Sequence, residues 1–176
     1  MLVGDSSVGK TCLIRNYLYN EFSDDYEPTV LDVFTGSKNV SKQTVDVEIH
    51  DTSGDEHLGT NRKIQYVGSD CFMICVAANY MVSYENIKNW LLEIQEVSSS
   101  KPIMLIQTKK DLIDKGLVEE EQMVTLKMLR KKSTKLNLQG AMATSSKEWK
   151  DFNVHKAFNK VLHLAYIMKY GPEDDD

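Results

Sequence analysis

Eight residues near the start of the chain, Gly4-Asp5-Ser6-Ser7-Val8-Gly9-Lys10-Thr11, fit the spacing G-x-x-x-x-G-K-[ST] at every position. The spacing has a physical purpose. Glycines let the backbone turn tightly enough for successive N–H groups to surround a polyphosphate, at the positive end of the helix that follows. Lys10 would neutralise phosphate charge and the Thr11 hydroxyl would bind Mg²⁺. Cys12-Leu13-Ile14-Arg15-Asn16-Tyr17-Leu18 supplies the helix. Such a loop does not by itself choose between nucleotide kinases, ATPases and GTPases. Two later polar segments carry the choice, Thr108-Lys109-Lys110-Asp111 and Ser145-Ser146-Lys147, and a third, Asp51-Thr52-Ser53-Gly54, follows a strand.

The elements around these segments must place them. Val45, Val47 and Ile49 alternate with polar residues, the pattern of a half-buried strand that ends at Asp51. Residues 71–77 and 102–106 are short and continuously apolar, as strands buried on both faces of a parallel sheet are. Between them, Ile87, Trp90, Leu91 and Ile94 fall at helical spacing and predict a helix over 83–97. Residues 119–135 predict another, basic at its end (Arg130, Lys131, Lys132), where positive charge suits the helix dipole. Val154, Phe158, Val161, Leu162 and Ala165 predict a final amphipathic helix. Strand and helix in alternation point to a doubly wound α/β domain with right-handed crossovers. Thr108 to Asp111 then sits at the carboxyl edge of a buried strand, where such sheets bind ligands.

Composition narrows the class. A chain of 176 residues fits one domain. Lys and Arg number 21 against 26 Asp and Glu, a net charge of −5, which argues against a nucleic-acid binder with a basic face. With 41% hydrophobic and 27% charged residues, disordered and collagen-like architectures are out. The apolar runs fall short of the roughly 18 residues of a membrane span, and the start is no signal peptide. Cys12, Cys71 and Cys75 are odd in number and lack metal-ligand spacing, so reduced thiols in the cytoplasm are expected.

Taken in order, the segments resemble those of the Ras superfamily of small GTPases, and its Rho branch in particular, over nearly the whole chain. The resemblance implies a P-loop NTPase fold: α/β, with a mostly parallel six-stranded sheet flanked by about five helices. It implies GTP and GDP with Mg²⁺ as ligands. In Thr108-Lys109-Lys110-Asp111, similar to the Rho motif T-K-x-D, Asp111 would accept from two guanine N–H groups. A carboxylate left unpaired against the wrong base costs several kcal/mol, roughly a thousandfold in discrimination. Lys109 would lay its stem along the ring. Ser145-Ser146-Lys147 resembles the S-A-K loop, with the Ser146 N–H meeting the guanine carbonyl. Phe22 would set its edge against the base. Tyr26-Glu27-Pro28-Thr29-Val30 resembles the first switch, whose Thr29 reaches Mg²⁺ and the γ-phosphate only in the triphosphate state. Asp51 would hold Mg²⁺ through water, and Gly54 would offer its N–H to the γ-phosphate. The implied nucleotide contacts are thus Asp5, Ser6, Ser7, Val8, Gly9, Lys10, Thr11, Cys12, Phe22, Tyr26, Thr29, Gly54, Thr108, Lys109, Asp111, Ser145, Ser146 and Lys147. Thr11, Thr29 and Asp51 are the implied metal set, and Lys10, Thr29, Gly54 and Asp55 the catalytic set.

One departure matters most. The family reads D-T-A-G-Q-E, and this chain reads Asp-Thr-Ser-Gly-Asp-Glu, with Asp55 in place of the glutamine that orients water. Aspartate is shorter, lacks the amide donor and adds negative charge beside an anionic phosphate. Losing such a donor slows comparable reactions by roughly 10²-fold or more. Ser6 and Ser7, where Ras and Rho proteins carry smaller residues, lean the same way. Two readings follow: a slowly cycling GTPase with an exchange factor and an activating protein, or a GTP-bound binding module with negligible hydrolysis. An adenine-specific P-loop kinase is disfavoured by Asp111. Rho-like proteins act at actin and membrane control points and present their switches to effector proteins, so such partners are implied for a monomer. The phosphate-loop and Thr108–Asp111 segments favour Rho, whereas 83–91 has a spacing more like Rab or Ras, and 57–65 lacks the usual Rho pattern. The expected layout is a G-domain over 1–170 with a truncated first strand and an acidic tail over 171–176. That tail carries no prenylation motif or polybasic stretch, so no direct membrane anchor is expected in this chain.

Overall fold

The computed structural model describes residues 1–25, 29–98, 100–148 and 153–171. Six strands form one sheet in the order β2-β3-β1-β4-β5-β6. These are β1 (Leu2–Val3), β2 (Leu31–Val40), β3 (Gln43–Thr52), β4 (Phe72–Ala77), β5 (Ile103–Thr108) and β6 (Ala141–Ala143). β2 runs antiparallel to β3, and every other pairing is parallel. Five helices of eight residues or more flank it: α1 (Lys10–Tyr19), α2 (Gly59–Tyr66), α4 (Ile87–Gln95), α6 (Leu126–Lys135) and α7 (Asn153–Tyr170). The short α3 (Met81–Glu85) and α5 (Lys110–Asp114) complete the set.

All six side chains of β4 and all six of β5 are buried, as their unbroken apolar runs require. Their alternation divides the core in two. Met73, Cys75 and Ala77 join Leu13, Ile14 and Tyr17 of α1 and Val154, Ala157, Phe158 and Val161 of α7. Phe72, Ile74 and Val76 face the other way, onto Tyr66 of α2, Ile87, Trp90 and Ile94 of α4, and Leu129 of α6. Each large apolar side chain so buried contributes about 1.5–3 kcal/mol. The β2–β3 hairpin pairs from Leu31↔Thr52 to Val40↔Gln43 around Ser41 and Lys42, both at positive φ, the backbone of a tight two-residue hairpin turn. The three cysteines are unpaired.

Two expected helices are divided. The span 83–97 becomes α3 and α4, because Asn86 (φ −70°, ψ −8°) tightens the turn between them. The span 119–135 begins as a single 3₁₀ turn, Glu120–Gln122, and α6 starts only after Thr125, whose hydroxyl accepts from the Met128 N–H as an N-cap. Val124 is fully buried in the extended link between them.

β1 pairs Leu2 with Asp51 and Met73, and Val3 with Ile74. The chain then leaves it at Gly4, whose φ of +139° and position against β4 both require glycine: a Cβ there would lie 2.4 Å from the Cys75 carbonyl oxygen. A cavity of about 770 Å³, with Met1, Val45, His50, Cys71, Leu162 and Tyr166 among its lining residues, contains none of the residues assigned to the candidate site. Gly4→Ala is expected to destabilise the protein by at least about 1–3 kcal/mol from backbone strain alone. Gly36→Ala, where a Cβ meets open space, is expected to cost nothing. Urea denaturation of the two variants checks the contrast.

Candidate functional site

The segments singled out by the sequence converge on the carboxyl ends of β1, β3, β5 and β6. Gly9 (φ +97°) caps α1 in a left-handed conformation and turns the loop into the helix. Lys10 is buried, and its ammonium donates to the Gly4 and Asp5 carbonyls at 2.7 and 2.9 Å. Burial lowers its pKa, a tendency that the charges of Asp51 and Asp5 oppose. Two of its three N–H groups are thereby fixed, which leaves one for an anion in the loop.

Thr11, Thr29 and Asp51 meet although they stand far apart in the chain. The Thr11 hydroxyl donates to Asp51 Oδ2 at 2.6 Å, so Thr29, 3.0 Å from Thr11 Oγ1, must donate to it. Asp51 is fully buried, and its Oδ1 has no hydrogen-bond partner among the described residues. Burial raises its pKa, against the Thr11 hydrogen bond and the Lys10 charge that pull it down. An orphaned carboxylate oxygen beside two hydroxyls is a hard-oxygen donor set of the kind that suits Mg²⁺. The residues present therefore fit the metal that the sequence implied. The Ser53 N–H donates to the Val30 carbonyl at 3.2 Å, joining the segment after Thr29 to the one after Asp51.

At the other end, Asp111 is buried and its Oδ1 accepts from the Ser145 hydroxyl at 2.7 Å. Lys109, itself at positive φ, donates from Nζ to the Ser7 carbonyl at 2.8 Å and so ties the Thr108–Asp111 segment to the phosphate loop. The Thr108 hydroxyl reinforces that tie by donating to the Val8 carbonyl. Lys147 pairs with Asp24 at 2.9 Å and stands 5.2 Å over the Phe22 ring, which brings the loop after β6 against the segment that carries Phe22. The Ser146 carbonyl accepts from buried Asn16 of α1 at 3.0 Å, and Cys12 lies 3.7 Å from the Ser23 carbonyl.

A family model described as Ras family matches residues 1–166. The chain belongs to the Ras family. It is a small GTPase of P-loop fold, a family that binds guanine nucleotide. Among the described residues no helix is long and apolar enough to cross a membrane.

In this small GTPase several residues behave otherwise than their position in the motifs suggests. The Asp5 carboxylate accepts from the Trp90 indole N–H at 2.6 Å and from Asn86 at 2.8 Å, so it braces the phosphate loop against α4. Asp55 is exposed, and its Oδ1 accepts from the His57 N–H at 2.9 Å, capping the 3₁₀ turn Glu56–Leu58. Tyr26 lies outside the described residues, as do residues 172–176 of the tail. The sequence reading missed Arg62, Tyr66, Glu93 and Asn86. Arg62 is buried on α2, with Nε and Nη2 on the Glu93 carboxylate at 2.7 and 2.9 Å and its guanidinium over the Trp90 ring. Burial alone would raise the Glu93 pKa, but hydrogen bonds from Arg62 and Tyr66 outweigh it and hold the carboxyl below its ordinary value.

Asp51→Asn keeps an oxygen for the Thr11 hydroxyl and removes the buried charge. Because the Asp51 pKa is raised on folding, ionisation of this group opposes folding. The penalty is absent well below the ordinary 3.8, grows as pH rises from there to the higher folded value, and is full above it. The variant is therefore expected to melt a few degrees above the parent at neutral pH, a gain that shrinks towards acid, and to lose the stabilisation that Mg²⁺ gives the parent. Thermal melts across pH with and without Mg²⁺ measure both effects.

Proposed function

We propose that residues 1–170 form one G-domain of Rho-like character that binds GTP and GDP with Mg²⁺ and signals by reordering the segments 26–30 and 57–65. The observation that carries this reading is the Lys109–Ser7 tie. It sets a buried carboxylate, Asp111, at a fixed reach from a loop built for phosphates, and a nucleoside polyphosphate presents that pair of features. Asp111 Oδ1 is occupied by Ser145, and no described residue bonds its second oxygen, which would accept from the base. Phe22 and Lys147 border the same end.

At the phosphate end, Lys10 supplies positive charge from a dry position, where it acts more strongly than in water. Thr11, Thr29 and Asp51 would hold Mg²⁺, which when bound supplies charge neutralisation at the phosphates. Thr29 and Gly54, each on a segment joined by the Ser53–Val30 hydrogen bond, would read the third phosphate together. Effectors, exchange factors and activating proteins, which Ras-family members generally engage, would meet the switch segments. A cytoplasmic setting near the cytoskeleton belongs to this Rho-like reading.

Hydrolysis is proposed to be slow. The Asp55 carboxylate is committed to the His57 N–H, and Asp55 lacks the amide donor that a glutamine would bring. The second reading, a GTP-bound module with negligible hydrolysis, draws on the same commitment. Asp55→Asn preserves the cap and removes the charge, whereas Asp55→Gln restores the longer amide. In single-turnover assays, Asp55→Gln is expected to accelerate GTP hydrolysis by about 10²-fold, with Asp55→Asn staying within a few fold of the parent. A parent rate equal to that of Asp55→Gln would overturn the proposal.

The nucleotide itself is the primary test. The protein as isolated is expected to carry guanine nucleotide, GTP for the binding module and GDP for the cycling enzyme. Asp111→Ala is expected to weaken GDP binding by about a thousandfold while leaving the fold intact. Adenine nucleotide released on denaturation, read by chromatography, would sink the reading.

A further inference from the structure

Arg62 lies in the 57–65 segment, where no motif gave it a role, and the structure surrounds it with partners beside the phosphate loop. Its side chain is 3% exposed. Nη1 donates at 2.9 Å to both the Ser53 and Asp55 carbonyls, the two that flank Gly54. Nε and Nη2 hold the two oxygens of Glu93 on α4, and Nε also reaches the Tyr66 hydroxyl at 3.1 Å. Tyr66 in turn donates to Glu93 Oε1 at 2.7 Å. The guanidinium lies 4.6 Å over the Trp90 ring, and the Trp90 N–H is bound to Asp5 of the phosphate loop. A guanidinium gripped at two nitrogens by one carboxylate cannot rotate, so the direction of Nη1 is fixed by α4.

The consequence lies in the peptide joining Ser53 to Gly54. It is planar and trans, so its C=O and N–H point in opposite directions and move as one rigid unit. Anchoring the Ser53 oxygen therefore sets where the Gly54 N–H points. That N–H has no acceptor among the described residues. Gly54 is also pressed on the phosphate loop, where a Cβ would come within 2.2 Å of the Ser6 nitrogen. The aim of the Gly54 N–H cannot be adjusted by shifting the segment towards the loop.

We propose that Arg62 is a positioning residue that pre-aims the Gly54 N–H at the third phosphate and so sets the preference for nucleoside triphosphate over diphosphate. Through Glu93 and Trp90 it also ties that aim to α4, which makes occupancy of the phosphate site legible on the α2–α4 side of the molecule. The inference rests on the guanine-nucleotide reading above and gives a role to a residue of the 57–65 segment that the reading left without one.

The test strips nucleotide from the purified protein and titrates GDP and GTPγS with Mg²⁺. GDP lacks the phosphate that Gly54 would meet, so its affinity is the internal reference. Arg62→Lys keeps the positive charge but not the rigid fork. It is expected to lower the ratio of GTPγS to GDP affinity by about tenfold or more, the scale of a lost charge-assisted hydrogen bond. A folded Arg62→Lys protein with the parental ratio would overturn the inference. Where Arg62→Lys does not fold, Glu93→Gln carries the test. It loosens the grip on the fork and leaves Arg62 in place, so a smaller fall in the same ratio is expected, and an unchanged ratio overturns the proposal. Failure of the parent to bind GDP at all would instead overturn the guanine-switch reading.

Discussion

Polar side chains are excluded from the bodies of β4 and β5 because both strands are buried on both faces along their whole length. An unpaired polar side chain there would carry a desolvation cost of about 1–3 kcal/mol with nothing to offset it. Polar groups can enter only where the strands end, and at those ends each is bonded. Gln107 donates to the Val124 carbonyl, Thr108 to Val8 and Val76, and Thr144 to Gln107. These bonds stitch the loops to one another, so the residues that finish the strands also fix the spacing of the site. The loop that follows β1 and the segment that ends β5 are held in register by Lys109 and Thr108.

Among the described residues two buried side-chain atoms lack a partner, His50 Nδ1 and Asp51 Oδ1, and Asp51 is the one at the candidate site. Its first oxygen is bonded to Thr11 and its second is buried and orphaned. A protein selected only for stability would replace this side chain. Its presence is readable as a function retained against stability, since a cation at the same place would reverse the electrostatic penalty and couple folding to metal occupancy. Thr29 enters the same cluster from a segment outside any helix or strand and meets Thr11 at 3.0 Å.

How much of this was legible in the sequence depends on whether the signal was local. The buried strands, the phosphate loop and the polar segments at strand ends all announce themselves over a few consecutive residues, and the fold class follows from them. β2 does not: Leu31–Val40 is mostly exposed, has no alternating apolar face, and is a strand because β3 pairs with it along its length. β6 is three residues long and is held by β5. The break at Asn86 and the late start of α6 were hidden because helical spacing of apolar residues continues across both. In the site, Lys10, Thr11, Asp51, Lys109 and Asp111 were visible as motif positions. Arg62 and Glu93 were not, because an ion pair between residues 31 apart leaves no periodic trace. Trp90 falls at helical spacing and is buried in the core, but its indole N–H reaches out of that core to Asp5 of the phosphate loop.

Asp55 shows where a motif and a local structure compete for one side chain. The sequence suggests a damaged catalytic position, because an acid replaces an amide. The structure adds that the acid has other work, since Asp55 closes a turn by accepting from the backbone two residues on, a role for which aspartate is among the best residues and glutamine among the poorer. Arg62 holds the carbonyl of the same residue. The start of this switch segment is therefore fastened by both its side chain and its backbone, whereas a glutamine would leave the side chain free to approach water. Rigidity at that point follows from the aspartate itself, and the proposal of slow hydrolysis and a longer-lived triphosphate state rests on it.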